Sequence, residues 1–261
     1  MKKPQGVGPD DHFLYICDTD NHAIRVADLE KRSLTTLFGN GAQARMPNVS
    51  GKSMDVRLNS PWDLVADRET LYVAMAGAHQ IWRLDTRSLE AVPYAGSSRE
   101  DIDDGPLSEA TLAQPSGITS DGERLYVADS EVSAIRAVDP KSERVTTLIG
   151  KGLFEFGHID GDASMARLQH PLGICSVDGI LYVADTYNHR IRAFDTETGL
   201  LETLSGGEAS GSHDGPADTA LFHEPSDVYV AGGTLYIADT NNHAIRCLDR
   251  STGHVSTLSI Q

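Results

Sequence analysis

The chain has 261 residues and a formal net charge of −16, with 38 acidic and 22 basic side chains. This length supplies one substantial core or two small ones. The negative charge argues against nucleic acid, whose phosphates require a basic surface, and against anionic membrane surfaces. Otherwise the charge indicates solubility.

The first residues, Met1-Lys2-Lys3-Pro4, run into polar sequence without an apolar stretch. In the sequence as given, this predicts no signal peptide and no transmembrane span, and therefore a cytoplasmic location. The three cysteines, Cys17, Cys175 and Cys247, are widely separated and include no C-x-x-C pair. We interpret them as buried strand thiols in a reducing compartment.

Five similar segments, each opened by Leu-Tyr and closed by Asp, follow one another along the chain. Each alternates apolar residues, turns through a polar stretch and resumes an apolar run, which is typical of a β-hairpin. The five hairpins are 14–28 (LYICDTDNHAIRVAD), 71–85 (LYVAMAGAHQIWRLD), 125–139 (LYVADSEVSAIRAVD), 181–195 (LYVADTYNHRIRAFD) and 235–249 (LYIADTNNHAIRCLD). A period slightly above fifty residues with strands inside it indicates a propeller or another repeat array.

A short strand opened by proline precedes each hairpin, and a fourth strand follows it. Proline suits the first position of a strand, where its missing N–H leaves no ladder bond unmade. The prolines are Pro4, Pro61, Pro115, Pro171 and Pro225. We therefore predict an all-β chain, with strands A to D of each repeat forming a four-stranded antiparallel blade. The prediction is a single β-propeller domain over residues 1–261, with five blades starting near 4, 61, 115, 171 and 225.

A longer linker joins strand D of each repeat to strand A of the next. Three linkers carry an Asp-Gly pair, which predicts a turn because glycine tolerates positive φ and Asp caps its own backbone. These pairs are Asp104-Gly105, Asp160-Gly161 and Asp214-Gly215. Small and large apolar residues after the turn predict a short helical turn that packs an apolar plug on the blades. The plug residues are Val56, Leu58, Ala110, Leu112, Ala166, Leu168, Ala220 and the pair Leu221-Phe222.

The D-x-x-N-H-x-I-R core of these hairpins resembles the NHL repeat family over nearly the whole chain. The signature stands at Asn21-His22-Ala23, Asn188-His189-Arg190 and Asn242-His243-Ala244. The resemblance implies a six-bladed propeller with an interaction role. In the subgroup with long linkers, it also implies a thioredoxin-like domain before the propeller, and such a domain is one implied partner.

The chain departs from the family pattern in two respects. It has five repeats rather than six, so either five blades close into a ring or these are five blades of a six-bladed one. It has no thioredoxin-like domain and no C-x-x-C pair, so no redox activity is carried over from the resemblance.

Two residue types recur in a fixed register of the hairpin. A repeated histidine invites a metal hypothesis, but one histidine per blade favours a structural role, with hydrogen bonds inside the hairpin turn. These positions are His22, His79, His189 and His243, with Ser133 in the remaining copy. The repeated arginines, with the aspartate that closes strand C, predict structural ion pairs. The arginines are Arg25, Arg136, Arg192 and Arg246.

The candidate site comes from departures from the repeat. Three copies carry glycine at the third position of strand A, whereas two carry Asp63 and Asp227. Strand A is innermost in a propeller, so we predict that both carboxylates lie at the mouth of the channel, beside Trp62. The linker residues Asp104, Asp160 and Asp214 are predicted to rim the same mouth. Carboxylate clusters bind Ca²⁺ or another divalent cation, and the alternative is a solvated acidic rim with Trp62 in the core.

No nucleophile elbow, zinc-protease motif or phosphate-binding loop occurs in the sequence. We therefore predict a non-catalytic scaffold that binds a protein partner or small ligand through the face carrying the linkers. No catalytic residue is assigned. The alternative is a metal-dependent hydrolase or lyase with its site in the central channel.

Overall fold

The structure is a computed structural model that describes residues 1–10, 12–45 and 49–259. Its strands form five antiparallel sheets, called here blades 1 to 5. Blade 1 holds β1 (Pro4–Pro9), β2 (Phe13–Asp18), β3 (Ala23–Asp28) and β4 (Ser33–Phe38). Blade 2 holds β5 (Gly51–Lys52), β6 (Pro61–Asp67), β7 (Thr70–Met75), β8 (Gln80–Asp85) and β9 (Glu90–Ala95).

The remaining blades repeat this pattern. Blade 3 holds β10 (Gly105–Pro106), β11 (Pro115–Ser120), β12 (Leu125–Asp129), β13 (Ala134–Asp139) and β14 (Arg144–Ile149). Blade 4 holds β15 (Gly161–Asp162), β16 (Ile174–Val177), β17 (Ile180–Asp185), β18 (Arg190–Asp195) and β19 (Leu200–Ser205). Blade 5 holds β20 (Gly215–Pro216), β21 (Pro225–Ala231), β22 (Thr234–Asp239), β23 (Ala244–Asp249) and β24 (His254–Thr257). Short 3₁₀ turns lie at Thr19–Asn21, Ser53–Asp55, Ala76–Ala78, Thr186–Asn188 and Thr240–Asn242.

The predicted fold class is confirmed: the chain is a β-propeller with five blades, each built as an A-to-D meander from one repeat. Strand A begins at the predicted proline in blades 1, 2, 3 and 5, and at Ile174 in blade 4. The hairpin 181–195 lies within one sheet, where Leu181 pairs with Phe194 and Ala184 with Ile191. Every blade is thus one contiguous stretch of sequence, which in blades 2 to 5 includes an outermost strand from the linker before strand A.

That outermost strand is the feature of the linkers that the sequence analysis missed. In blades 2 to 5 the linker adds a two-residue fifth strand, which pairs with strand D at the outer edge. In blade 4, Gly161 pairs with Leu201 and Asp162 with Leu200. Gly161 has a φ of +115°, which glycine adopts without strain. The Asp-Gly turn therefore leads directly into an edge strand.

The predicted helical turn and apolar plug follow this edge strand. In blade 4 the Ala166 N–H bonds to the Asp162 carbonyl at 2.8 Å, which closes one helical turn. The plug residues Ala166 and Leu168 are fully buried. Of the pair Leu221-Phe222, the ring of Phe222 is buried.

In blade 4, strands B and C are buried on both sides, which explains their nearly continuous apolar sequence. We call the side of a blade that faces the next blade along the chain its front face, and the opposite side its rear face. The front of blade 4, with Tyr182, Ala184 and Ile191, packs in one cluster with the rear of blade 5. The rear-face residues in that cluster are Val228, Leu235, Ile237, Leu248 and Val255. Alternation along one strand therefore serves two interfaces.

The chain divides into two compact units. One comprises Met1–Val127 with Ala137–Thr146, and the other Ala128–Arg136 with Thr147–Gln261. The single domain over residues 1–261 stays a prediction. In the part of the chain that the structure describes, no helix has the length and apolar character needed to cross a membrane.

Candidate functional site

The turn between strands B and C lies at the same end of each blade as the linkers that join consecutive blades. We call this the linker end. In blade 4 the last residue of strand B, Asp185, is fully buried there and accepts three hydrogen bonds. Its Oδ2 accepts from Arg192 Nη1 at 2.7 Å and from Asn188 Nδ2 at 2.8 Å, and its Oδ1 accepts from the Gln169 N–H at 2.7 Å. Because Asn188 also donates to the Gly157 carbonyl at 2.7 Å, turn and linker are tied together.

Arg192, in strand C of blade 4, completes this hydrogen-bond network. Arg192 is fully buried, and its Nη2 donates to Asp160 and to the Ile159 carbonyl. Burial raises the pKa of the Asp185 carboxyl, and the Arg192 guanidinium opposes that shift. Blade 5 repeats the arrangement, with Arg246 bonded to Asp239 at 2.8 Å and to Asp214 at 2.5 Å.

The sequence analysis predicted the wrong ion-pair partner for these arginines. Each of the four arginines pairs with the aspartate seven residues before it, at the end of strand B. The aspartate that closes strand C instead accepts backbone N–H groups of the following turn. Asp195, for example, accepts from Glu197 and Thr198 at 2.8 and 3.0 Å. The repeated arginines and aspartates are structural, as predicted, but they form two separate motifs.

Blade 2 replaces the whole network with apolar residues. Met75 stands at the strand B aspartate, Ala78 at the asparagine and Trp82 at the arginine, and all three are at most 1% exposed. The Trp82 indole donates to Gln80 at 3.0 Å, so its polar atom is satisfied. Buried ion pairs can be exchanged for well-packed apolar residues at little cost when every partner changes together. Blade 2 shows such an exchange at all three positions.

In blades 1, 2 and 4 the repeated histidine acts between blades, which corrects the predicted bond inside the hairpin turn. It ends the 3₁₀ turn in the left-handed region, with φ from 46° to 57°. Its Nδ1 accepts the main-chain N–H of the residue before the next blade's proline: His22 from Ser60 at 3.1 Å, His79 from Gln114 at 3.2 Å. In blade 3 the Ser133 hydroxyl accepts from the His170 N–H at 3.1 Å. The side chain is a clamp between consecutive blades.

The two carboxylates that replace glycine in strand A have different surroundings. Asp63 is partly buried, and its Oδ2 accepts the Ile118 N–H of blade 3 at 2.9 Å. Asp227 is reached by solvent, and its Oδ1 accepts the Val228 N–H at 2.8 Å. Protein atoms nevertheless crowd this carboxyl, and the loss of hydration raises its pKa from 3.8 to about 6. Trp62, beside Asp63, is partly buried.

The linker aspartates do not lie beside strand A. Asp104, Asp160 and Asp214 immediately precede the two-residue edge strands, which pair with strand D at the far side of each sheet. In blade 4 this is four strand intervals from strand A, or roughly 19 Å at about 4.8 Å per interval. Asp160 and Asp214 are bonded to buried arginines, and this lowers the pKa of both against the opposing effect of burial. Their predicted place at a mouth shared with strand A is therefore corrected, whereas their role in binding stays a prediction.

No group of three or more His, Cys, Asp or Glu side chains is arranged to hold a metal ion among residues 1–10, 12–45 and 49–259. Cys17 and Cys175 are buried thiols, as predicted, and burial raises the pKa of both. Cys247 is partly exposed. A divalent cation at Asp63 and Asp227 stays a prediction.

One exposed apolar segment at the linker end has no counterpart in the predicted site. In the linker before blade 4, Phe154 is 89% exposed and Phe156 is 56% exposed. Ile159 and Met165 nearby are 46% and 59% exposed. The sequence signal was available, because no other linker between blades contains two phenylalanines.

The pKa of Asp227 leads to a prediction about stability. An acid with a higher pKa in the folded than in the unfolded chain loses stabilisation as pH rises between the two values. We expect the melting temperature of the wild type to fall between about pH 4 and pH 6 because of this group, and Asp227→Asn to remove that step. Asp249→Asn is a matched control, because hydrogen bonds from the following turn lower the pKa of Asp249. A step that persists unchanged in Asp227→Asn would contradict the assignment.

Comparison with known proteins supports the resemblance to the NHL-repeat family. The NHL repeat profile matches residues 168–194 and 222–248, which contain strand A and most of the hairpin of strands B and C in blades 4 and 5. The chain is 37% identical to NHL repeat-containing protein 2 of Bos taurus, over all of this chain and 40% of that protein. The chain contains NHL repeats and is similar over its whole length to an NHL repeat-containing protein. It is also 37% identical to the chloroplastic protein SUPPRESSOR OF QUENCHING 1 of Arabidopsis thaliana, over 99% of this chain and 26% of that protein.

The NHL-repeat chain thus spans less than half the length of these relatives. Among solved structures, it is similar to a chain in a nidogen/laminin complex, with a TM-score of 0.70 at 17% identity over 99% of this chain and 81% of the other. A protein of unknown function from Bacteroides thetaiotaomicron VPI-5482 matches with a TM-score of 0.62 at 18% identity, over 94% of this chain and 69% of the other. At these identities the likeness concerns the fold alone.

Proposed function

We propose that this NHL-repeat chain is a non-catalytic interaction scaffold that binds a protein partner through the linker end of its blades. The observation that carries the proposal is the exposed apolar segment 153–159, with Phe154 and Phe156 at its centre. Large apolar side chains gathered in one exposed segment mark an interaction site more often than an isolated one does. Loops held by a rigid scaffold are also where binding residues collect.

The polar side chains at the linker end support binding rather than catalysis. In blade 4 the carboxylate, amide and guanidinium of the network bond to one another and to the linker backbone. The histidine clamp uses its Nδ1 for a main-chain N–H. Side chains engaged in this way stiffen the platform from which the linker projects, and they are not poised to act as acid, base or nucleophile.

The chemistry of the segment indicates the partner. Glu155 lies between the two phenylalanines, and Asp160 and Asp162 follow on the same linker. We therefore expect an apolar protein surface with basic groups at its rim. A thioredoxin-like domain remains a proposed partner from the family resemblance, and a chain of similar fold occurs in a nidogen/laminin complex. Asp63 and Asp227 remain the proposed contacts for a ligand or Ca²⁺ near strand A.

The test is a comparison of partner binding by matched variants. A partner is first identified by crosslinking to the wild-type protein, then purified and titrated by calorimetry. We expect Phe154→Ser/Phe156→Ser to weaken its affinity by about tenfold or more, as loss of aromatic anchors does. Leu200→Ser is the control, because Leu200 is 44% exposed on strand D of the same blade. Unchanged affinity in the double variant would remove this segment from the binding site.

A further inference from the structure

The front face of blade 5 is exposed where the same face of every earlier blade is buried. Ile245, in strand C, is 38% exposed. The isoleucines at the same repeat position in blades 1 to 4 are each 0% exposed: Ile24, Ile81, Ile135 and Ile191. Tyr229 on this face is 56% exposed, and Ala238 and Cys247 are partly exposed. Among the described residues, blade 5 therefore presents, uncovered, the surface that blade 4 uses to hold its neighbour.

The rear face of blade 1 shows the complementary exposure. Val7 is 53% exposed and Leu34 is 49% exposed. The residues equivalent to Val7 are 3–4% exposed in the later blades: Leu64, Ile118, Ile174 and Val228. Those equivalent to Leu34 are 0% exposed: Ala91, Val145, Leu201 and Val255. This face repeats the apolar surface that a preceding blade covers elsewhere in the chain.

In the part of the chain that the structure describes, the polar clamp between blades is also unused at the front of blade 5. In blade 4, His189 Nδ1 accepts the Glu224 N–H at 3.1 Å, and the Thr186 hydroxyl donates to the Pro225 carbonyl at 2.9 Å. In blade 5 the same positions are His243 and Thr240, and both are exposed. The His243 backbone already has the left-handed φ of 52° that the clamp uses.

Blade 1 carries the matching half of this clamp. Lys3 precedes Pro4 and has a φ of +44°. The clamped residues before the other blade prolines share this left-handed conformation, with φ from 50° to 63°: Ser60, Gln114, His170 and Glu224. Lys3 and Pro4 are both exposed. The N–H of Lys3 and the carbonyl of Pro4 are thus held in the backbone conformation that receives the histidine and threonine of a preceding blade.

A third hydrogen bond between consecutive blades also has its two halves in blades 5 and 1. Asp63 of blade 2 accepts the N–H of Ile118, the fourth residue of strand A in blade 3. Asp227 is the equivalent residue of blade 5, and Val7 is the fourth residue of strand A in blade 1. A preceding blade carrying aspartate at this position would bond the Val7 N–H.

We propose that the front face of blade 5 binds the rear face of blade 1 of a second copy of this chain. The interface continues the blade-to-blade packing already present inside the chain, with the same side-chain positions on both sides. His243 of one copy accepts the Lys3 N–H of the next, Thr240 donates to its Pro4 carbonyl, and Ile245 packs on the rear face that carries Leu34.

This association is head-to-tail, because the two faces in contact differ. A head-to-tail interface leaves one free face of each kind on a dimer, so further copies add until a ring closes or a filament grows. Burial of two apolar sheet faces provides the driving force. Association therefore extends beyond dimers as concentration rises.

The test uses two variants that each block one face. Ile245→Asp places a charge on the front of blade 5, and Leu34→Asp places one on the rear of blade 1. Both positions are exposed, so the fold is retained, which circular dichroism checks. We expect the wild type to show a mass in sedimentation that rises with concentration beyond the dimer. Each variant alone should remain monomeric over the same range.

The mixture of the two variants provides the sharpest result. Leu34→Asp keeps a working front face and Ile245→Asp keeps a working rear face, so an equimolar mixture should form a one-to-one dimer and nothing larger. His243→Ala should weaken wild-type association several-fold without abolishing it. Leu200→Asp, an equally exposed leucine outside both faces, should associate like the wild type.

Three outcomes would overturn the proposal. A wild type that stays monomeric at every concentration would exclude the second copy. A monomer whose Cys247 thiol is protected from alkylation at all concentrations would mean that another part of the same chain covers the front face. Dimers of either variant alone would require an interface between like faces.

Discussion

Replacing Arg192 by alanine is expected to destabilise the fold by about 3–5 kcal/mol, because it leaves Asp185 as an uncompensated buried charge. Both side chains are 0% exposed and bonded at 2.7 Å. Chemical denaturation at neutral pH measures the free energy of unfolding. Lys31→Ala is the control, because the Lys31–Asp28 pair is on the surface, with 76% of the Lys31 side chain exposed. The control should cost far less, because exposed ion pairs contribute little to stability.

Blade 2 supplies the second arm of this experiment. Its Met75, Ala78 and Trp82 fill the positions of Asp185, Asn188 and Arg192 without any charge. The triple variant Asp185→Met/Asn188→Ala/Arg192→Trp should therefore recover more than half of the stability lost in Arg192→Ala. If the triple variant were the less stable of the two, the network in blade 4 would contribute more than charge compensation.

Ile191→Ala is expected to cost about 2–5 kcal/mol, the usual range for truncating a fully buried isoleucine. The same substitution at Ile245, the equivalent position in blade 5, should cost less than about 1 kcal/mol in dilute solution. The two isoleucines share sequence context and strand position but are 0% and 38% exposed. Unfolding curves of both variants at low concentration make the comparison.

The tyrosines provide an independent check of the same difference. Tyr182 is 6% exposed at the interface of blades 4 and 5, whereas Tyr236 is partly exposed on the front of blade 5. Tyr182→Ala should therefore be the more damaging change. Equal losses at Tyr182 and Tyr236, or at Ile191 and Ile245, would show that the front of blade 5 is covered in solution.

The sequence predicted the blades because their signals are periodic. Proline spacing and alternation within each hairpin located the strands and their order. The partner of the repeated arginines was also present in the sequence: the strand B aspartate and the arginine occur together in four copies and disappear together at Met75 and Trp82 in blade 2. The closing aspartate was the weaker partner, because it is retained in blade 2, where the arginine is absent.

Other features leave no such signal. The histidine clamp bonds a main-chain N–H, which any residue except proline offers, so no side chain in the sequence identifies its partner. The edge strands are two residues long, too short for any periodicity to register. The uncovered faces of blades 1 and 5 could not be predicted, because their sequences match those of buried blades and exposure appears only when neighbours are placed.

The two-residue strand at the edge of blades 2 to 5 has a consequence for aggregation. An exposed sheet edge is a template on which another chain adds a strand, and a short proline-containing segment blocks that addition. Pro106 and Pro216 stand in two of these segments. Blade 1 ends at β4, and no described strand pairs with its outer edge. The sequence of β4, SLTTLF, has no charge and no proline, so this edge is where cross-β assembly of the protein would begin.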